Sequence, residues 1–183
     1  MPPDTNVNEA QPMAATTCEA NDNAHPDRQY LFIIRHGDRW DYSYPEWKKL
    51  PTSRLGDSPL SPLGHSQARE VGEFLDEYLN ARGLTHDITW LSSPFLRCLQ
   101  TSNEALNAMK VANSHYTSTD EGAFREIPIK PEYSIFEWDG HGGEWHSDLP
   151  PLEERKQYFP RLDMDYEGFF TPELPGEPEI CAW

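Results

Sequence analysis

Three short apolar runs alternate with two longer stretches of helical period. The first run, Leu31 to Ile34 in "YLFIIRHGDRW", predicts a short, fully buried strand over Tyr30 to Ile34. The second, Ile88 to Leu91 in "DITWLSSPF", ends in Ser92, Ser93 and Pro94, and the third, Ile127 to Ile129, is shorter. Between the first two, "SPLGHSQAREVGEFLDEYLNARGL" places Ala68, Val71, Phe74, Leu75, Tyr78 and Leu79 on one helical face. Ser61 suits the N-cap, Pro62 the first turn and Gly83 the C′ position. "FLRCLQTSNEALNAMK" predicts a second helix, with Leu96, Leu99, Leu106 and Met109 near one face. The order strand, helix, strand, helix, strand predicts an α/β fold with a largely parallel sheet and crossover helices. Asp41 to Ser61 reads as a loop. Past Trp138 the pattern weakens, with one or two helical turns predicted over Glu153 to Tyr158.

Composition sharpens this outline. The chain has 183 residues, enough for one compact domain and a tail. Residues 1–28 show no apolar period and are rich in Asn, Asp, Pro and Thr, which predicts a disordered N-terminal tail. That tail lacks the basic and apolar regions of a secretory signal, and no apolar run has the length of a transmembrane helix. The formal charge is -16. It argues against nucleic-acid and anionic-membrane partners, which select basic faces. Cys18, Cys98 and Cys181 lie far apart, the pattern of thiols in a reducing, cytoplasmic compartment rather than of a disulfide framework.

Against that acidic background the arginines stand out. Arg35, His36 and Arg39 follow the first predicted strand, and Gly37 lets backbone approach a ligand. Arg97 follows the second strand at an equivalent place. In a parallel sheet both sets emerge at the same end, where α/β folds bind ligands. Like charges gather only around an anion, and guanidinium forks match phosphate oxygens. A neutral imidazole among them can attack phosphorus. Two other features carry less. "HGGEWH", His141 to His146, has a spacing a metal site could use, but it is glycine-rich and has no cysteine near it, so no metal is expected. Trp40, Tyr42, Tyr44 and Trp47 fit loop packing better than stacking on a substrate.

The same residues carry a family resemblance. "IIRHGDRWDY" resembles the RHG signature of the histidine phosphatase superfamily, the phosphoglycerate mutase-like proteins. "GDSPLSPLGHSQAREVG" resembles that family's aspartate, Pro-Leu, Gly, Gln-Ala run, "LSSPFLRCLQTS" its second-arginine motif, and "EYSIFEW" its acid-bearing segment. "RHGDRWDY" with "FEW" is most similar in form to the small phosphatases of the suppressor-of-T-cell-receptor-signalling type. The resemblance implies a three-layer α/β domain over residues 29–183, a mostly parallel sheet flanked by helices, and phosphomonoester hydrolysis without a cofactor. It implies His36 as the phosphorylated nucleophile, Arg35, Arg39 and Arg97 as phosphate ligands, and Glu137 as general acid and base. Glu132 is the competing carboxylate, with a structural hydrogen-bonding role as its other reading. A phosphorylated small molecule or a phosphoprotein is the implied substrate.

The chain departs from that family at its C-terminal end. No late hydrophobic strand ending in a second pocket histidine follows His146. In the family that strand is central, so the domain is expected to be incomplete, with a phosphate contact missing and strand edges exposed. His141 or His146 could replace the histidine, but neither has a strand before it. A mutase-type isomerase and a non-catalytic phosphate-binding scaffold therefore stand beside the phosphatase as alternatives.

Overall fold

The computed structural model describes residues 29–84, 88–109, 126–135 and 149–169. Within them, α1 is Trp40–Ser43, α2 Pro62–Ala81, β1 Trp90–Ser92, α3 Leu96–Ala108, β2 Ile129–Pro131 and α4 Leu152–Lys156. Two 3-10 turns, Pro45–Lys49 and Leu55–Asp57, punctuate the loop between α1 and α2.

Both long helices start and stop where their sequences direct. Ser61 Oγ accepts the Gly64 N–H at 3.1 Å, capping α2. At the other end Gly83 has φ +65°, its N–H reaches Asn80 O, and the Leu84 N–H reaches Leu79 O. These two bonds form a Schellman closure. Phe74, expected on the buried face, is 60% exposed. At 3.6 residues per turn it lies at the margin of the stripe centred on Leu75, Ala68 and Leu79, beyond the reach of α3.

β1 and β2 are parallel, with Trp90 opposite Ile129 and Ser92 opposite Pro131. They confirm the second and third strands, each displaced by a residue or two. On the far side of β2 the chain returns after α4, where Leu162 bridges Ile129 in parallel. The Ile129 N–H donates to Arg161 O, and the Asp163 N–H donates to Ile129 O. The core combines Leu75 and Leu79 of α2, Leu99 and Leu106 of α3, and Met109, with Ile127, Ile129, Phe159 and Leu162. The result is an α/β arrangement: a small parallel sheet with helices packed on it.

The first predicted strand needs correction. Tyr30 to Ile34 pairs with no strand among the described residues, and Leu31 and Ile33 are 86% and 90% exposed. Phe32 and Ile34 turn toward the protein. The Phe32 ring meets Tyr78 edge-on at 5.4 Å, and Ile34 packs on the core. An apolar run with such β propensity becomes a strand only if a neighbour supplies the hydrogen-bond ladder, and it is buried on both faces only if both faces are covered. Here α2 covers one.

Candidate active site

The turn after Ile34 is fastened to both helices. The Gly37 N–H donates to Thr101 Oγ1 of α3 at 3.2 Å, and the Asp38 N–H donates to Gln67 Oε1 of α2 at 2.8 Å. Asp38 Oδ2 accepts the Ser43 and Ser61 hydroxyls at 2.6 and 2.5 Å, which hold its pKa below the ordinary value. Arg39 bridges Leu60 in antiparallel fashion. The backbones touch at Gly37 and Gly64: a Cβ on Gly37 would lie 2.4 Å from Gly64 O, and one on Gly64 would lie 2.2 Å from Asp38 O. Side chains on either would separate the turn from α2.

His36 is half-buried, and its Nδ1 lies 2.8 Å from Gly37 O. A carbonyl only accepts, so Nδ1 carries the proton and Nε2 keeps its lone pair. The His36 pKa is lowered. Burial is the largest cause, and the charges of Arg97, Arg35 and Arg39 add to it against the opposing bond to Gly37. The imidazole is thus held neutral with Nε2 available, the form a nucleophile needs.

The three arginines are held differently. Arg35 is exposed and lines a cavity of about 250 Å³ with His36, Gly37, Gln67, Ala68, Val71 and Thr101. Arg39 donates through Nε and Nη2 to the two Asp41 oxygens at 2.9 and 3.0 Å and lies over the Tyr42 ring. Burial alone would raise the Asp41 pKa. Hydrogen bonds from Arg39 and Ser58, together with Lys48, outweigh it, and the carboxyl titrates below its ordinary value. Arg97 is 1% exposed, stacks on Phe95 and donates from Nη1 to Gly56 O at 3.1 Å. The charges of all three contribute to lowering the His36 pKa.

Glu132, the competing carboxylate, is held by three hydrogen bonds. It is 1% exposed and accepts from Ser134 N–H at 2.8 Å, Tyr166 OH at 2.9 Å and Phe169 N–H at 3.0 Å. Burial pulls its pKa up, but these hydrogen bonds prevail and set it at about 2. Glu137, His141 and His146 lie outside the described residues.

Some residues escaped the sequence reading. Thr101 accepts from Gly37 and donates to Arg97 O at 2.8 Å, linking the His36 turn to the turn of α3 that bears Arg97. Its helical spacing of four from Arg97 is the signal that could have found it. Asp41, which fixes Arg39, has no comparable signature. A larger recess of about 570 Å³, walled by Trp40, Tyr44, Trp47, Leu50 and Leu60, shares no lining residue with the His36 cavity. The Trp40 and Tyr44 rings meet there at 4.5 Å between centroids, tilted by 34°. His36 and Arg35 line the smaller cavity and not this recess. His65, beside the recess, pairs with Glu104 of α3 at 2.9 Å.

The chain is 25% identical over 171 residues to an ecdysteroid-phosphate phosphatase of Drosophila melanogaster, covering 80% of this chain and 20% of that protein. It is 28% identical over 171 residues to human ubiquitin-associated and SH3 domain-containing protein A, covering 78% of this chain and 23% of that one. The chain thus spans about a fifth to a quarter of the length of these relatives. Among solved structures, the Bombyx mori ecdysone phosphate phosphatase in complex with tungstate superposes with a TM-score of 0.51 at 22% identity, covering 79% of this chain and 58% of that one. That likeness establishes the fold. The sequence profile of the histidine phosphatase superfamily (branch 1) matches residues 31–129, more than half of the chain and the whole span from Leu31 through the His36 turn to β2, and the chain belongs to that superfamily.

Proposed function

We propose that this chain hydrolyses phosphomonoesters through a phosphohistidine formed on His36 Nε2. The observation that carries the reading is the His36 Nδ1–H bond to Gly37 O, which leaves Nε2 unprotonated on a ring whose pKa burial and the charges of Arg97, Arg35 and Arg39 lower. Nε2 attacks phosphorus as the ester P–O bond breaks. Arg35, Arg39 and Arg97 stabilise charge on the phosphoryl oxygens, and Glu137 gives its proton to the leaving oxygen. Water then attacks the phosphohistidine, its proton passes to Glu137, and phosphate leaves with His36 neutral again. A reducing, cytoplasmic setting fits the dispersed cysteines. Phosphate esters of small molecules or of proteins are the substrates, a class supported by the phosphatase name of the Drosophila relative.

Quenching the chain during turnover of a labelled aryl phosphate tests this. Acid-labile, base-stable label on His36 is expected, and His36→Ala abolishes it together with turnover. Glu137→Gln slows substrates with poor leaving groups far more than activated aryl phosphates, because only the former need the proton. The mechanism fails if His36→Ala keeps full turnover. It loses its acid if Glu132→Gln shows the leaving-group-selective loss instead.

A further inference from the structure

We propose that Arg155, on α4, is a positioning residue that sets Arg97 at the phosphate site by holding Asp57; the inference rests on the phosphate-site reading above. Arg155 lies beyond the residues matched by the family profile, so the family likeness assigns it no role. The chain of contacts is short. Arg155 Nη2 donates to Asp57 Oδ2, and both residues are buried, at 7% and 3% exposure. The other Asp57 oxygen, Oδ1, accepts the Leu96 N–H at 2.6 Å, in the first turn of α3. The neighbour on each side completes a second link: Arg97 Nη1 donates to Gly56 O at 3.1 Å. Gly56–Asp57 and Leu96–Arg97 therefore grip each other at two points, one through the α3 backbone and one through the guanidinium itself. Asp57 also complements the positive end of the α3 dipole.

This grip depends on a carboxylate buried next to few donors. Burial raises the Asp57 pKa, and Arg155 is the largest influence against it, ahead of the Leu96 N–H and Arg97. Arg155 can serve because α4 is tied down independently of Asp57. Tyr158 and Phe159 N–H groups donate to Arg155 O, Phe159 and Leu162 sit in the core, and the chain then runs beside β2. A segment docked on the sheet edge thus delivers a guanidinium to a loop 98 residues earlier.

The test is a double-mutant cycle on the full chain, read by tungstate affinity, which requires no hydrolysis. Arg155→Met should weaken tungstate binding about tenfold when Arg97 is present and leave it nearly unchanged in an Arg97→Met background, since interacting sites are non-additive. Arg155→Lys, which keeps the charge and loses the fork, should restore part of the affinity. In turnover of an aryl phosphate, kcat should fall along with affinity. Cooperative melting of each variant shows that it is folded; if Arg155→Met does not melt cooperatively, the cycle is run with Arg155→Lys, whose expected loss is smaller and likewise confined to the Arg97 background. Equal weakening in both backgrounds, or tungstate affinity unaffected by either substitution, overturns the proposal. If the unmodified chain binds no tungstate, the phosphate-site reading itself fails, and the positioning role with it.

Discussion

At the scale of single residues, His36 is defined by what its two nitrogens do. Nδ1 is bound to Gly37 O, and burial with three arginine charges lowers the pKa below 6.5. Imidazole resonances in an NMR titration should therefore show the His36 midpoint below 6.5, and Arg97→Ala should move it upward by removing a repelling charge. A midpoint at or above 6.5, or one indifferent to Arg97, would contradict the electrostatic picture. The sign for stability follows from linkage. As pH falls below 6.5 the unfolded chain takes up this proton before the folded one does, so His36 makes the fold less stable on the acid side. Among the candidate site residues, His36, Arg35, Arg39 and Arg97 stand in motifs that the sequence displays. Asp41 acts only through Arg39, the neighbour it holds, and the sequence carries no mark of that, whereas Thr101 stands one helical turn from Arg97 and Asp57 belongs to the aspartate, Pro-Leu run.

At the scale of elements, the two long helices were legible and the first strand was not, for a physical reason; α1, a single turn in the stretch read as a loop, is too short to show a period. A helix closes its hydrogen bonds within itself, so period and caps decide it: Ser61 starts α2 and Gly83 ends it. A strand depends on a partner that its own residues do not specify, and Leu31 to Ile34 has none among the described residues. The element contact that matters most for the site is the meeting of Gly37 with Gly64. Gly64→Ala places a Cβ 2.2 Å from Asp38 O and 2.9 Å from Asp38 N, both rigid backbone. It should destabilise the fold by about 1–3 kcal/mol, as overpacking does, and also weaken tungstate binding, because the His36 turn must shift. Gly83→Ala is the control. Its Cβ meets nothing within 4 Å, so only the positive φ penalises it, by about 1 kcal/mol, with tungstate affinity unchanged. Thermal melting and tungstate titration of the two variants separate these outcomes; equal effects on binding would show that the glycine contact does not position the turn.

At the scale of the whole molecule, two features organise the chain: a core on one side of a small sheet, and contacts that span the sequence. The Arg155–Asp57 pair, 98 residues apart, closes the molecule from its late segment onto the loop before α2. No local pattern foretells such a pair, since it is written in neither period nor spacing. The core has a definite edge. Ile129 is 0% exposed, whereas Ile33, as apolar and as β-branched, is 90% exposed. Their truncations should therefore differ. Ile129→Ala removes buried methylenes and leaves a cavity, so it should cost about 2–5 kcal/mol. Ile33→Ala removes groups already in water and should change stability by no more than about 0.5 kcal/mol. Denaturant unfolding of the two variants gives both numbers on one scale. A loss at Ile33 as large as that at Ile129 would mean that the outer face of the Leu31 to Ile34 segment is covered in the folded protein, and that the run is the doubly buried strand its composition suggests.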